Sequence, residues 1–482
     1  MPRTTLPLLA AFAVAALLRL HDAWSAPPLS GFDGPYHAAY LGAIVWDGRF
    51  PLPRGFTNHP PLYYAVAAAV WKLVAPVAGT HGQLFAMRLV SVASGLAMAV
   101  AVGACARLVA PARSRVAVYA AVLALFVPMH VGPSSVLGNQ AFSDALAALA
   151  TFLLLRALAR EHDGDALRAA AIAGIAAGLG VLAKLSVGVV VAAGAAALLA
   201  DGVRRVGARP RAAALAAAFA CVAALVASPH FVRNAVHADA PPDATADVWA
   251  GLDRSQGLAA RPWSAYVDPH LGSLVRPGTT DPAARRAVWP NTFASTWFDL
   301  FGSVVDVHAP RAQRAAHVLF AFGALFTAAA LAGAALAARG AVSGGPPLGT
   351  ALLALVAAAT LASYVAFTRA VATQGALKGT YLAPALAAFC TFAALGLDAL
   401  AARSAAARRA VAVALGAFAV CVCATLAHGG IAPLRANPAD FVMRDFADAG
   451  SRRAYEYFTG RPAPTGANPL RLERAPSGRA AR

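Results

Sequence analysis

The sequence predicts an all-α polytopic membrane protein with about eleven transmembrane helices. Apolar runs of roughly 20 residues recur along it, and each is long enough to cross a bilayer core. Composition agrees: hydrophobic residues make up 59% of the chain and charged residues 13%, where a soluble domain carries roughly 25%. Mean hydropathy is +0.61. Lipid offers the backbone no hydrogen bonds, so these runs must be helices, and they lack the alternation of a barrel strand.

Taken in order, the spans fall at about 6–24, 88–109, 116–132, 142–159, 169–183, 185–200, 212–228, 315–338, 348–367, 381–401 and 409–427. The first follows Arg3 and leads into His21-Asp22-Ala23-Trp24 with no clear cleavage site, so it reads as a retained signal anchor. A further apolar run, 61–78, begins at Pro60-Pro61 and decides the topology. If it crossed, Arg113/Arg115, Arg156/Arg160/Arg168 and Arg204/Arg205/Arg209/Arg211 would all face outward, against the positive-inside rule. If it lies along the interface, those connections become cytoplasmic, as do Arg339 and Arg403/Arg408/Arg409. The run is short, and Lys72 beside Trp71 suits an interfacial helix.

The sequence therefore divides into an N-terminal transmembrane module, 1–228, with a first outer loop at 25–60; a large outer loop, 229–314; C-terminal transmembrane helices, 315–427; and an outer tail, 428–482. The N-terminus is inside and the C-terminus outside. Segments 25–60, 133–143, 229–314 and 368–380, the Lys184 junction and the tail then share the outer face, and polar chemistry belongs there. In the tail, 441–457 reads as one interfacial helix, with disorder expected beyond Gly460.

The formal charge of +18 does not indicate nucleic acid. The arginines sit mainly in short connections and the tail, where topology and lipid headgroups account for them, and no basic-aromatic platform is visible. Cys105, Cys221, Cys390, Cys421 and Cys423 all lie inside apolar runs, so cysteine says little about compartment.

The first outer loop carries the most informative residues. Asp33 precedes Gly34-Pro35, which start a helix. Tyr36, Tyr40 and Ile44 repeat at a spacing of four, and Asp47-Gly48 ends it. His37 follows Asp33 by four residues, so their side chains can share a face. Asn58-His59-Pro60-Pro61 starts a second interfacial helix. Asp33 reads equally as a helix N-cap. Asp144 sits in the first turn of a span, where a carboxylate favours the helix dipole anyway. Lys184 lies between two apolar runs with no neighbouring charge, a costly depth for a cation unless it snorkels. Arg233 and Lys378 stand at span ends, suited to phosphate or to headgroups. Trp249, Trp263, Tyr266, Trp289 and Trp297 in the large loop suit anchoring or lid packing. Asp268, His270, Asp306 and His308 match no metal-ligand spacing, so metal is left unassigned.

In order along the chain, several segments resemble the GT-C class of glycosyltransferases, which includes protein O-mannosyltransferases and the transferases that put aminoarabinose on lipid A. The early acid with its nearby histidine and His59-Pro60-Pro61-Leu62-Tyr63-Tyr64 are similar to that class's first periplasmic loop. Ala86-Met87-Arg88-Leu89 resembles its "aaRl" helix start. Asn139-Gln140-Ala141-Phe142-Ser143-Asp144 resembles its "ND/LD" span start. Leu182-Ala183-Lys184 resembles "LxK", and Val232-Arg233-Asn234 the "RN" that opens the big outer loop. Lys378-Gly379-Thr380-Tyr381-Leu382-Ala383-Pro384 resembles "RYLLP". The likeness covers about residues 30–385. Two departures stand out: many relatives carry Asp-Glu where this chain has Asp33-Gly34, and Thr380 replaces the arginine before "YLLP".

The resemblance implies a GT-C-like fold and an enzyme that moves a hexose or pentose, with inversion, from a polyprenyl-phosphate carrier to a glycan, lipid or protein acceptor. It implies the outer face of a bacterial inner or plasma membrane. It makes Asp33, His37 and Asp144 the catalytic candidates, and His59, Tyr63, Lys184, Arg233, Lys378 and Tyr381 the substrate-binding ones. No cofactor is assigned and a divalent metal stays open. Membrane lipids are the other expected partners. The alternatives are a transporter or flippase, which would show internal repeats that the sequence lacks, and an outer-face glycan polymerase, which would carry its arginines in a late loop.

Overall fold

Alanine and leucine fill the apolar runs, and both favour helix. The computed structural model describes residues 5–31, 33–52, 58–159, 163–204, 209–237, 260–340, 348–434, 436–440 and 449–464, and the regular elements among them are all helical. In chain order the principal helices are α1 (Thr5–Ser25), α2 (Gly34–Trp46), α3 (Leu62–Val74), α4 (Thr80–Val109), α5 (Ser114–Phe126), α6 (Pro128–Val131), α7 (Gln140–Ala159), α8 (Asp163–Ala183), α9 (Gly188–Arg204) and α10 (Arg209–Val236). After three short helices between 264 and 286 come α11 (Val288–Trp297), α12 (Pro310–Ala338), α13 (Gly349–Ala370), α14 (Leu386–Ala401), α15 (Ala405–Leu426) and α16 (Ala449–Thr459).

Nine helical segments among the described residues are long and apolar enough to cross a membrane, or up to 10 if a bent pair counts as one span. The chain is an integral membrane protein. Each of the expected apolar runs is helical, but two fall short of a straight crossing. Run 116–132 breaks at Pro128 into α5 and α6, bent by 64°. The proline holds Val127 at φ −58°, ψ 119°, outside the helical region. Run 185–200 opens with a 3-10 turn, Leu185–Val187, before α9 begins.

Helix α3 is 13 residues long, too short to cross. Its Trp71 is buried and donates from Nε1 to Gln83 Oε1 at 2.7 Å, while Lys72 is exposed. Helix α4 starts well before the expected 88. The extra turns bury Arg88, whose guanidinium donates to the carbonyls of Ala23, Ala26 and Pro27 at 3.0, 3.0 and 2.6 Å. Those carbonyls lie at and just beyond the end of α1, where helical acceptors have no partner of their own. Arg88 thus ties α4 to the start of the first loop.

In the tail, residues 441–448 lie outside the described residues, as do 465–482. Helix α16 is not laid out on a surface; it docks on α2 and α3. The Tyr457 ring meets Trp46 edge-on at 5.3 Å, Phe458 packs on Trp71 at 5.0 Å, and the Arg453 guanidinium sits 4.3 Å over Trp46 and 3.4 Å from Asp47. In the large loop, Trp249 lies outside the described residues. Trp297 is core rather than lid: its ring lies 6.0, 5.9 and 6.0 Å from Phe326, Phe389 and Phe418. Trp263 is exposed, with the Arg369 guanidinium 4.6 Å over its ring.

The turn into α2 is tight. Leu29 adopts φ 58°, rare for a side chain with a Cβ, and its carbonyl is pressed against Gly34, where an added Cβ would lie 1.9 Å from the Leu29 oxygen. No side chain fits, which accounts physically for a glycine at this position. We expect Gly34→Ala to destabilise the protein by at least about 1–3 kcal/mol, the scale of overpacking, because the neighbour is rigid backbone. A thermal-unfolding scan in detergent should show a lower midpoint, and an unchanged midpoint would contradict the tight turn.

Candidate functional site

Polar side chains in an apolar bundle gather where helices end or break, because backbone groups there also need partners. Several such ends meet around one cavity of about 130 Å³. Its wall includes Asp33 and His37 from the start of α2, His59 before α3, Asn139 and Gln140 at the start of α7, and Lys184 from the break between α8 and α9. Asp299 and Ser303 after α11, and Lys378 to Tyr381 ahead of α14, complete it.

Asp33 occupies the N-cap position of α2, yet its side chain makes no capping bond to the helix. It is half-buried and faces the cavity. His37 is buried one turn on, and its Nδ1 lies 2.7 Å from the Tyr64 hydroxyl. The His37 and His59 rings are 6.0 Å apart. Burial pushes His37 down to about 3, against the pull of Asp33 and with the push of His59, Lys184 and Lys378. Burial and Lys184 push His59 down to about 4. Both imidazoles are therefore neutral near pH 7, fit to orient Asp33 or hydrogen-bond a substrate but not to pair with an anion.

Lys184 sits on extended backbone, φ −161° and ψ 130°, between Ala183 and the 3-10 turn. Its ammonium donates to Gln140 Oε1 and lies 5.3 Å from the Tyr381 ring centroid. The turn that carries Lys378 and Tyr381 is fixed by the Gly379 N–H, which donates to Ser295 Oγ at 2.8 Å. A Cβ on Gly379 would lie 2.7 Å from the Thr296 Cα, so only glycine lets this turn approach α11 so closely.

Three candidates stand behind the cavity wall. Asp144 is buried, with Oδ1 accepting from Gln140 Nε2 at 2.6 Å and Oδ2 lying 3.4 Å from His130 Nδ1. Tyr63 is fully buried, and its hydroxyl accepts the Gly138 N–H at 2.9 Å. Arg233 donates to the Tyr40 hydroxyl at 3.0 Å and the Pro51 carbonyl at 2.5 Å, clasping the first loop. Its partner Tyr40 stacks on Tyr64 at 3.8 Å, and Tyr64 holds His37. Sequence spacing placed these three with the rest because motifs mark helix ends; it does not say which side chain turns inward.

Sequence reasoning passed over Tyr64, Gln140 and Asp299. Tyr64 and Gln140 lie inside quoted motifs, but an uncharged side chain draws no attention there. Asp299 spends its carboxylate on a turn, accepting from Ser303 Oγ at 2.6 Å and from the N–H groups of Val304 and Val305 at 2.5 and 3.0 Å. Among the described residues, no group of three or more His, Cys, Asp or Glu side chains is placed to hold a metal.

Residues 58–232 match the profile of a family described as dolichyl-phosphate-mannose-protein mannosyltransferase. The crystal structure of the Archaeoglobus fulgidus oligosaccharyltransferase in complex with zinc and sulfate superposes with a TM-score of 0.57 at 17% identity, over 95% of this chain and 57% of that one. The fold is GT-C-like. The oligosaccharyltransferase AglB from Archaeoglobus fulgidus, in complex with an inhibitory peptide and a dolichol-phosphate, gives 0.54 at 17% identity, over 95% of this chain and 60% of that one. The GT-C-like chain thus spans 57% and 60% of the lengths of these two structures. ArnT from Cupriavidus metallidurans bound to undecaprenyl phosphate aligns more loosely, with a TM-score of 0.40 at 16% identity over 82% of this chain and 78% of that one, and adds nothing to the fold argument. No curated protein matches the sequence.

The site has a pH signature. Burial lowers Lys184 from 10.5 to about 8; Lys378 adds to the lowering, while Asp144 and Asp33 oppose it. Gln140 and the Tyr381 ring are its uncharged neighbours. A lysine binds an anion only when protonated, so affinity is present below the folded pKa and is lost as pH rises through it. Binding of a sulfate anion, whose own charge is constant over this range, to the purified protein should weaken several-fold between about pH 7 and pH 9, given that midpoint. Calorimetry across that range checks it, and a flat profile would remove Lys184 from anion binding.

Proposed function

We propose that this protein is a membrane glycosyltransferase that moves a sugar from a polyprenyl-phosphate donor to a hydroxyl of a glycan, lipid or protein acceptor on the outer face of the membrane. The observation that carries this reading is one cavity with a carboxylate, Asp33, and two lysines, Lys184 and Lys378, on its wall. A weak nucleophile needs a base within reach, and a lipid phosphate leaves as an anion that needs positive charge rather than a proton donor. The likeness of residues 58–232 to a mannosyltransferase family supports the same chemistry.

In this mechanism Asp33 accepts the acceptor's proton as the acceptor atom bonds to the anomeric carbon. The bond from that carbon to the phosphate oxygen breaks, and its electrons leave with the phosphate, which Lys184 and Lys378 receive. Attack from the face opposite the leaving group inverts the anomeric centre. His37, held by Tyr64, borders the base, and His59 and Tyr381 border the sugar. A transporter would need access from both faces, whereas the proposed topology gives the segments carrying Asp33, Lys184 and Lys378 to one. The bacterial inner or plasma membrane, with the cavity on the periplasmic or extracellular side, is the setting in which nucleotide sugars are absent and a lipid-linked donor is required.

Because Asp33 makes no cap bond, Asp33→Asn should leave expression and thermal stability unchanged while lowering turnover by at least roughly a hundredfold, the scale of lost general-base help. Transfer from a defined polyprenyl-phosphate sugar by purified protein reads this out. A variant that keeps most of its turnover removes Asp33 from the mechanism.

Sidedness has its own test. In intact cells a membrane-impermeant maleimide should label Asn58→Cys and spare Arg168→Cys. The opposite pattern would put the cavity on the cytoplasmic side, where a nucleotide-sugar donor becomes available.

A further inference from the structure

Lys184 is a half-buried cation at the end of a span, and among the described residues no carboxylate pairs with it; what meets it is an amide. The Gln140 carbonyl oxygen accepts from the ammonium, while Gln140 Nε2 donates to Asp144 Oδ1 at 2.6 Å and to the Thr380 carbonyl at 3.2 Å. The Thr380 carbonyl can only accept, and the Asp144 oxygen also accepts, so both neighbours draw the NH2 end of the amide. The oxygen end is left for Lys184, which can only donate. The amide therefore has one orientation, set from behind the cavity wall. Behind it, Asp144 Oδ2 lies 3.4 Å from His130 Nδ1.

We propose that Gln140 is a positioning residue that aims the Lys184 ammonium into the cavity without neutralising it, and locks the Lys378–Tyr381 turn beside it. This rests on the reading of Lys184 as a phosphate-binding group. The choice of an amide has a physical reason. A direct carboxylate partner would hold the lysine equally well but would cancel its charge, and the anionic donor would then compete with a built-in anion. An amide carbonyl solvates the ammonium and leaves a full positive charge for the phosphate. The same amide spans from α7 to the 3-10 turn at Thr380, so the two cavity lysines share one brace. Asp144 then acts on Gln140 and not on substrate.

The test compares Gln140→Leu and Gln140→Glu in the full-length protein, reading two quantities that need no acceptor. One is the titration midpoint of Lys184, by NMR of the reductively methylated amine assigned with Lys184→Arg. The other is affinity for undecaprenyl phosphate. Gln140→Leu should lower the midpoint, since an acceptor to the ammonium is gone. Gln140→Glu should raise it. Both should weaken binding at pH 7 by at least ~10-fold, the scale of a hydrogen bond to a charged group. Turnover at saturating donor should change much less.

Because Gln140→Glu loses its donor to Asp144, it is paired with Asp144→Asn, whose amide can donate to the new carboxylate. The double variant should regain part of the lost thermal stability, the Thr380 carbonyl still lacking its donor, and should still bind the phosphate poorly. An unmoved midpoint in Gln140→Leu overturns the proposal, as does wild-type binding in the double variant. If the midpoints move in opposite directions but the wild-type protein binds no polyprenyl phosphate, the brace stands and the donor assignment fails.

Discussion

Lipid gives a polypeptide backbone nothing to bond to, and the rest of this structure follows from that constraint. Each span has to close its own hydrogen bonds, so freed carbonyls and amides are tolerated only at helix ends and breaks. The polar side chains that the chemistry needs cluster at the same places, because they and the freed groups satisfy one another. Lys184 lies on the extended residue between α8 and α9, and Thr380 lends its carbonyl from a 3-10 turn. Arg88 consumes three carbonyls at and after the end of α1. The cavity is the point where several such breaks coincide.

The same constraint explains how the first loop is held. It carries Asp33, and its helix α2 buries Ala38, Tyr40 and Leu41 in one cluster with Tyr63, Tyr64 and Trp71 of α3. Its rigidity is borrowed. Gly34 lets the Leu29 carbonyl close onto α2, Arg233 reaches across to the Tyr40 hydroxyl and the Pro51 carbonyl, and Tyr64 links the Tyr40 stack to His37. Aromatic rings with a polar tip suit this work, since they fill space and still anchor one hydrogen bond.

Much of this was legible in the sequence. Apolar run length located the helices, and the short 61–78 run with Lys72 pointed to a helix that does not cross. Residue order also pointed to one face for Asp33, His37, His59, Lys184, Lys378 and Tyr381, which do line one cavity. What stayed hidden was rotational: whether Asp144, Tyr63 or Arg233 turns toward the cavity or away depends on helix phase and packing, and near a break one residue's shift changes both. Span count was hidden for a related reason. A proline such as Pro128 announces a break but not its angle, and a 64° bend turns one run into two pieces. Gln140 was overlooked because an amide's importance lies in its partners, which are distant in sequence.

Helix α16 closes over α2, joining Arg453 to Asp47 across 406 residues of chain. Such a contact forms only after the intervening spans are made. During synthesis the Trp46 and Trp71 faces are present early and stay uncovered while the bundle is inserted helix by helix. The segment that completes the first loop's packing thus emerges only after every span from α4 to α15. A truncated chain can hold the cavity residues 33–381 and still lack the cover on α2. Late arrival of α16 makes completion of that loop wait on translation of every intervening span, enforced by chain connectivity and high contact order rather than by any added factor.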